Sequence, residues 1–413
     1  MRAALYSTLR DELFGSAAIE DPHPLYARLR REHPVSRIDE TGVHLVATWD
    51  LIDEVLHREL DFSANLTGVL IRAEDGRPST FPLPDAGANH VIATADEPEH
   101  GIHRALVRPG LSAVRIAALE ASIRGWVEDA LTPWIDAGGG DFVPLSEVIP
   151  ARAVARVLGL PDGDVSRHRA WAMMGGDILA GDVTERRLIA LATETAEMVR
   201  YLGAHLDAAR PAAPGDAEAP LLAALAGGVE RGEIGRVQAI GIALIMFGAG
   251  GESTAALIGS AVRRVAEDPE LAERLRLSPH LIPRFVEEVA RLEPPFKFHY
   301  RAVRRPCGLG GVALAPGDRL MLLWASANRD PGHFDDADTL RLDRRHPKQH
   351  MSFGRGSHFC VGAPLARLEA RVVLEQLLSR TRRISPGAGG RPVYAPSIFV
   401  RRLERLPIGV EAA

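Results

Sequence analysis

The sequence predicts a mainly α-helical protein with a smaller β portion, folded as a single large domain over residues 1–413. Helical periodicity dominates residues 99–277. Residues 303–324 instead carry short apolar and β-branched runs, separated by Gly-Gly and Pro-Gly pairs that are typical of hairpin turns. No internal repeat is visible, so the chain is expected to enclose one core.

The N-terminal part predicts a helix, a strand and a long loop, in that order. Residues 1–20 are expected to form a peripheral extension. Asp21 then opens a helix as its N-cap, with proline at the first helical position. Residues 42–49 read as a strand. Residues 63–94 are rich in Gly, Pro and Asn and predict a long loop, which in compact domains is often functional.

The break at residues 208–219 (AARPAAPGDAEA) is short and is expected to join two helices. After Cys360 the apolar residues step by three or four, which predicts a helix with Pro364 in its first turn. Short strands are expected to close the chain. The helices therefore flank a β portion that begins near residue 303.

Composition excludes several classes of protein. The net charge of −5 argues against a general nucleic-acid-binding surface. Two cysteines, Cys307 and Cys360, cannot form a disulfide framework or a paired zinc site. The longest apolar run, residues 240–251, is shorter than a bilayer span, and the N-terminus lacks a signal-peptide core. We expect a monomeric cytoplasmic protein with no membrane span.

The stretch FGRGSHFCVG, residues 353–362, places one cysteine among glycines just ahead of a helix. A lone cysteine is most often a small buried hydrophobe. Here the glycines allow close approach of the backbone, and the helix N-terminus favours a thiolate over a thiol. Such a thiolate is either a nucleophile, with His358 as a candidate base, or the single protein ligand of a haem.

This stretch resembles the haem-binding signature of cytochromes P450, F-x-x-G-x-x-x-C-x-G, at Phe353, Gly356, Cys360 and Gly362. The resemblance implies the cytochrome P450 fold enclosing haem b, with Cys360 as the axial ligand of the iron. It also implies that Phe353 packs near the sulfur and that His358 contacts a haem propionate. Cys307 needs no role beyond packing.

Residues 247–259 (FGAGGESTAALIG) form an apolar helix whose adjacent glycines indicate either close helix packing or an opening for a small ligand. The stretch is similar to the distal helix of the same family, A/G-G-x-D/E-T. The resemblance places Ala249 and Gly250 at the haem face and gives proton delivery to Glu252 with Ser253 or Thr254. Serine stands where the family has threonine, so which hydroxyl serves the oxygen is left open.

Two further patterns resemble family landmarks. Glu288 and Arg291 match the structural E-x-x-R pair, with Arg344 as the third member. His100, Arg104 and Arg301 match the residues that bind the propionates. An apolar pocket lining is expected from the aromatic and aliphatic side chains Phe247, Phe296, Phe298, Ile398 and Phe399, with Lys297 pointing away from it.

The resemblance implies a monooxygenase that uses O2 and two electrons from NAD(P)H, delivered by a separate ferredoxin and ferredoxin reductase. Arg355 and Arg367 either meet the ferredoxin or are ordinary exposed arginines. The expected reaction hydroxylates a mainly apolar, medium-sized small-molecule substrate of secondary metabolism. One alternative is oxidative coupling, desaturation or epoxidation on the same scaffold. The other is a non-catalytic, cysteine-ligated haem sensor or carrier.

Overall fold

The computed structural model describes residue 9 and residues 12–38, 41–72, 77–83, 90–181 and 185–413. Helices dominate the chain as the sequence predicts. In order, the α-helices are α1 Ser16–Glu20, α2 His23–Glu32, α3 Trp49–His57, α4 Glu99–Val107, α5 Ala113–Asp136, α6 Val143–Leu158, α7 Val165–Ala172, α8 Gly175–Ile178, α9 Glu185–Ala208, α10 Leu221–Glu230, α11 Arg236–Glu267, α12 Pro269–Leu277, α13 Ile282–Leu292, α14 Trp324–Ala327 and α15 Ala363–Arg380.

The strands form one five-stranded sheet and several smaller ones. They are β1 Val35–Ile38, β2 Val43–Val46, β3 Phe62–Ser63, β4 Gly68–Arg72, β5 Pro78–Pro82, β6 Gly139–Asp141, β7 His299–Val303, β8 Cys307–Leu309, β9 Val312–Leu314, β10 Arg319–Leu322, β11 Thr381–Pro386, β12 Val393–Tyr394, β13 Leu403–Arg405 and β14 Pro407–Ala412. The large sheet has the order β1-β2-β10-β7-β3, in which only β2 and β10 run parallel. A second sheet has the order β11-β14-β6.

Helix α11 crosses the middle of the molecule. It begins where Gln238 Oε1 accepts a hydrogen bond from the Gly235 N–H at 2.7 Å, and it packs against α6, α15, α10 and α13. By length and composition alone this 32-residue helix is apolar enough to cross a membrane, with a mean hydropathy of 1.5 in its most apolar window. The run expected to be too short therefore lies in a longer helix, and its packing makes it the central core helix.

The β region lies where the sequence predicts it. Gly310 and Gly311 turn β8 into β9, and Gly317 lies between β9 and β10 with φ 90°. The predicted strand 42–49 is shorter, because α3 begins at Trp49. The predicted long loop contains the hairpin β4–β5, whose connecting residues 73–76 lie outside the described chain, as do residues 84–89.

The N-terminal segment differs from the expectation. Leu9, Leu13 and Phe14 are 4–5% exposed and pack in the apolar cluster that contains Tyr26. A peripheral extension is therefore wrong for these residues, because their apolar side chains cover that cluster. Asp21 is not the N-cap itself, because the N-cap is Pro22 and the helix begins one residue later than predicted; Asp21 Oδ1 accepts from the His23 N–H at 3.1 Å.

Candidate active site

An internal cavity lies between α11 and the segment that leads into α15. Its volume is about 1540 Å³, counting the space at its open mouth. One wall, here called the cysteine wall, consists of residues 353–362 together with His100, Arg104 and Arg301. The opposite wall, here called the distal wall, consists of Ala249, Gly250, Ser253 and Thr254. Both sequence motifs therefore border the same space.

The backbone before Cys360 is folded tightly onto itself. The Cys360 N–H donates to the Phe353 carbonyl at 2.8 Å. Gly354 and Gly356 have φ values of 69° and 68°, which L side chains rarely adopt, so these two positions require glycine. Gly362 has an ordinary φ of −85°, and its conformation would accept other residues.

The Cys360 sulfur lies at the N-terminus of α15. Burial raises the pKa of the Cys360 thiol, while the N–H groups of Gly362 and Ala363 act in the opposite direction. The helix terminus alone therefore does not secure the thiolate that the sequence predicts. A directly coordinated metal cation would, because a coordinating thiol is deprotonated outright.

The side chains around Phe353 form a supporting cluster. The Arg367 guanidinium lies 4.4 Å from the centre of the Phe353 ring and pairs with Glu287 at 2.6 Å. Arg355 pairs with Asp53 at 2.8 Å and borders the cavity. Both arginines therefore have protein partners, so neither is an ordinary free surface charge.

Four basic side chains converge at one end of the cavity: His100, Arg104, Arg301 and His358. The rings of His100 and His358 stack at 3.9 Å. Burial lowers the pKa of Arg301 to about 10, and burial together with Arg301 lowers the pKa of His358 to about 3. Burial is the main cause of both shifts, so these basic groups lie where water does little to stabilise their charged forms.

The residues at this end fit the two carboxylates of a haem. No partner among the described residues reaches the buried Nε2 of His100. Within the described part of the chain, the Arg301 guanidinium donates only to a carbonyl, that of Tyr300 at 2.8 Å. Carboxylates would supply charge-assisted hydrogen bonds to these donors. On the same wall, Cys360 borders the cavity, so the donor set matches a thiolate-ligated haem.

The predicted structural triad lies beneath the cysteine wall. Arg291 contacts both carboxylate oxygens of Glu288, at 2.8 and 2.9 Å, and Arg344 donates to the same carboxylate at 2.9 Å. Glu288 and Arg291 are both fully buried. Arg291 also donates to the Asn328 carbonyl, and Asn328 Oδ1 accepts from the Met351 N–H at 2.7 Å. This chain of contacts links the triad to the segment that precedes Phe353.

On the distal wall, both candidate hydroxyls border the cavity. Ser253 Oγ donates to the Ala249 carbonyl one turn earlier at 2.5 Å. Such a bond from a side chain to its own helix tends to bend the helix. The Thr254 side chain is 97% buried against the same cavity. The structure therefore places both hydroxyls in reach of the cavity.

Glu252 is turned away from the cavity. Its carboxylate accepts from the Gly176 N–H at 2.6 Å and from Arg402 Nε at 3.1 Å, and the side chain is fully buried. Burial raises the pKa of Glu252 to about 7, although Arg402 and the Gly176 N–H oppose that rise. The carboxyl thus lies on the far side of α11 from the face that Ser253 and Thr254 present.

The adjacent glycines of α11 are explained by packing. A Cβ at Gly250 would lie 2.6 Å from Val154 of α6, and a Cβ at Gly251 would lie 2.4 Å from Ala172 of α7. Neither distance is possible for real side chains, so both neighbouring helices would have to move. Close helix packing, one of the two explanations considered, therefore accounts for both positions.

The predicted apolar lining is only partly correct. Phe296 borders the cavity, and Phe399 stacks on it at 4.6 Å without bordering the cavity itself. Phe247 is fully buried on the other side of α11, 5.5 Å from the His168 ring. The expectation that Phe247 lines the pocket is therefore wrong, because its ring packs toward α7.

Phe298 and Ile398 are also core residues that do not border the cavity. Phe298 packs edge-to-face on Tyr300. Phe296 and Phe298 both precede β7, so the alternation of a strand does not place them on one face. Lys297 points away from the cavity as predicted. It is buried, and its Nζ donates to the Ser397 carbonyl at 2.6 Å. Burial lowers the pKa of Lys297 to about 7.

Three residues of this region were not predicted. Arg402 holds Glu252, and its place just before β13 gives no sequence signal. Glu369 borders the cavity with 1% of its surface exposed, and burial raises the pKa of its carboxyl well above the usual value. Its position one turn after Leu365, on the apolar face of α15, was a readable signal. The third is His299, which borders the cavity from β7.

Comparisons with known proteins identify the family. The family model "Cytochrome P450" matches residues 279–402. Cytochrome P450 144 of Mycobacterium tuberculosis is 40% identical over 407 residues, covering 96% of this chain and 91% of that protein. The cytochrome P450 monooxygenase PikC of Streptomyces venezuelae is 32% identical over 399 residues, covering 94% and 91%.

Solved structures agree over nearly the whole chain. CalO2 superposes with a TM-score of 0.83 at 28% identity, covering 96% of this chain and 98% of that one. CYP109E1 of Bacillus megaterium, in complex with testosterone, gives 0.82 at 27% identity, covering 95% and 98%. The likeness includes the helical fold, the smaller sheets and the segment around Cys360, and the chain belongs to the cytochrome P450 family.

Proposed function

We propose that this protein is a haem-thiolate monooxygenase that hydroxylates a mainly apolar, medium-sized organic substrate. The observation that carries the proposal is the joint presence, on one cavity wall, of the Cys360 sulfur and four convergent basic side chains. Haem b, when bound, supplies the activation of O2 with two electrons. Family membership supports the use of haem iron and O2.

The protein's own residues would divide the work. Cys360 would ligate the iron, and His100, Arg104, Arg301 and His358 would hold the propionates. The hydroxyls of Ser253 and Thr254 border the cavity and would carry protons toward the oxygen. Glu252 would exchange protons with them only after leaving Arg402 and Gly176, because its carboxylate is held on the far side of α11.

The cavity wall supports a mainly apolar substrate. Away from the basic end, its lining includes Leu111, Val157, Ile245, Met246 and Phe296. The similarity to PikC, a cytochrome P450 monooxygenase, supports the monooxygenase class. We further propose a substrate of secondary metabolism and electrons from NAD(P)H through a separate ferredoxin and ferredoxin reductase. We propose that the protein works as a monomer in the cytoplasm. Ser253, in the place of threonine, keeps oxidative coupling or desaturation as the second candidate outcome.

Reduction and CO treatment of the haem-loaded protein tests the proposed ligation. A thiolate-type Soret band is expected, because Cys360 brings a thiol to the border of the cavity. Turnover with a surrogate ferredoxin and reductase then separates an enzyme from a haem sensor or carrier. Absence of the thiolate band would contradict the proposal. A thiolate band without any product across a broad substrate panel would favour the sensor or carrier.

A further inference from the structure

His299 is a polar side chain of the cavity that the proposed chemistry does not use. Four basic groups are assigned to carboxylates, Cys360 to iron, and two hydroxyls to proton transfer. His299 belongs to none of these sets, although it borders the same cavity from the first residue of β7. Its ring is partly exposed, and that exposure faces the cavity because the strand itself lies in the interior.

One nitrogen of the ring is fixed by a neighbour. The indole Nε1–H of Trp324 donates to His299 Nδ1 at 2.6 Å. An indole nitrogen can only donate, so Nδ1 must be the acceptor nitrogen of the imidazole. In a neutral ring the proton then lies on Nε2. Burial lowers the pKa of His299 to about 3, which is consistent with a neutral ring.

Aromatic rings hold the imidazole in place. Phe296 and Phe399 meet it edge-to-face, each with 5.6 Å between ring centres. Trp324 is 3% exposed and packs firmly in the core. The described residues offer no acceptor to Nε2. The ring therefore presents one N–H donor in a set direction, at no cost of ordering when a ligand binds.

This donor lies at the border between the basic end of the cavity and its apolar part. His299 and Arg301 are two residues apart on β7 and share one face of the strand, and the Arg301 cation adds to the effect of burial in lowering the pKa of His299. The polar surface cleft that reaches the basic end is lined by His100, Arg301 and His358, but not by His299. The rings of Phe296 and Phe399 flank the imidazole, which favours an acceptor on a mainly apolar ligand over a propionate.

We infer that the Nε2–H of His299 donates a hydrogen bond to an uncharged oxygen of the substrate, a ketone or ester carbonyl, and so selects apolar molecules that carry such an oxygen. The inference rests on the proposed function and names its substrate class. Hydrocarbon analogues would leave the N–H without a partner, and a buried donor without an acceptor is costly. The same bond would fix which carbon of the substrate faces the iron.

Matched probes test this directly in the haem-loaded protein. We would titrate a panel of rigid alicyclic ketones, each against the hydrocarbon in which CH2 replaces C=O, and follow the low-spin to high-spin shift. After correction for the different hydration of the two members of a pair, some ketones should bind about tenfold more tightly than their hydrocarbon partners. If no ketone in the panel exceeds its partner, the inference is wrong.

Variants then assign the preference to His299. His299→Phe should bring the ketone-to-hydrocarbon ratio close to one, and His299→Gln, which keeps a donor and an acceptor, should restore part of it. Phe296→Leu is the matched control, since it should weaken ketone and hydrocarbon alike and leave their ratio unchanged. An unchanged ratio in His299→Phe would overturn the inference.

The alternative partner, a haem propionate, gives a different result. In that case His299→Phe would speed haem loss and weaken both members of each probe pair equally, which contradicts the inference. Nitrogen-15 NMR of the imidazole should also show the Nε2–H tautomer, and the other tautomer would contradict it. Failure of the proposed function is separate, because it would appear as a missing thiolate-type band in the unmodified protein.

Discussion

The cysteine wall is positioned mainly by contacts between residues close in sequence, whereas the region behind the distal wall depends on residues distant in sequence. On the cysteine wall, Cys360 and its neighbours are positioned by short backbone contacts such as the bond from the Cys360 N–H to the Phe353 carbonyl. Behind the distal wall, on the far side of α11, Glu252 is positioned by Arg402, which is 150 residues away in sequence. A sequence motif therefore predicts the position of a side chain where the backbone of the motif itself closes the turn. Where the position depends on a partner distant in sequence, the motif predicts only which residue is present.

The largest expected effect tests the assignment of Cys360, on the cysteine wall, as the ligand of the iron. Cys360→Ser should abolish the thiolate-type Soret band of the reduced, CO-treated protein, because serine does not provide a sulfur ligand. Cys307→Ser is the matched control, since Cys307 lies in β8 away from the cavity lining, and it should keep the band. A normal band in Cys360→Ser would break the assignment.

The support beneath that wall should be nearly as sensitive. Arg291→Ala leaves Glu288 as a buried charge with one cation fewer and removes the link to Asn328. We expect the free energy of unfolding to fall by about 3–5 kcal/mol, measured by denaturant titration. Arg341→Ala removes a solvent-screened pairing with Asp336 and Asp343 at the surface and should cost much less. Equal losses would show that the triad is not a special support.

The burial of the Glu252 carboxyl behind the distal wall can be tested through the pH dependence of stability. The pKa of Glu252 is about 7 in the folded chain, against 4.5 for an ordinary glutamate. A raised folded pKa means that the stabilising contribution is complete below pH 4.5 and is lost as the pH rises through 7. Between pH 5 and 8 the unmodified protein should lose up to about 3 kcal/mol relative to Glu252→Gln.

Denaturant unfolding of the unmodified protein and of Glu252→Gln, measured side by side at each pH, gives that difference in stability. Arg402→Gln should shift the loss to higher pH, because Arg402 lowers the pKa of Glu252. The exposed Arg405 offers a control, and Arg405→Gln should not move the curve. Parallel pH curves for the unmodified protein and Glu252→Gln would contradict the placement of this carboxyl.

The basic end of the cysteine wall predicts a kinetic effect on haem retention. Arg301→Gln removes a buried cation that a propionate would pair with, so haem transfer to apomyoglobin should become about 10- to 100-fold faster. Arg304 is the control: it pairs with Asp96 in the surface cleft and does not border the haem cavity. Equal rates of haem transfer for Arg301→Gln and Arg304→Gln would show that Arg301 does not hold a propionate.

The smallest effect checks the corrected pocket. Phe247→Leu should cost about 1 kcal/mol of stability and leave ligand-induced spin shifts unchanged, because Phe247 packs against α7 outside the cavity. Phe296→Leu, in contrast, should change ligand affinity, since that ring borders the cavity. A change of affinity in Phe247→Leu would restore the original assignment.

Much of the fold and of the cysteine wall was predictable from sequence. Helical periodicity, the hairpin signals near Gly310 and the glycines before Cys360 are all local patterns. Sequence could not show that Glu252 turns away from the cavity, since Arg402 and the Gly176 N–H are brought to it only by the fold. The lining at Phe298 was wrong because its ring packs on Tyr300 and Phe399, which are brought to it by tertiary contacts that no local pattern shows.

The central claim is that this chain inserts oxygen from O2 into an apolar substrate. The direct measurement is turnover of a spin-shifting ligand with NADPH, ferredoxin and ferredoxin reductase under isotopically labelled O2, with the product analysed by mass spectrometry. The account predicts a hydroxylated product that carries one labelled oxygen atom. Product oxygen without the label, or electrons consumed with no oxidised product from any spin-shifting ligand, would contradict it.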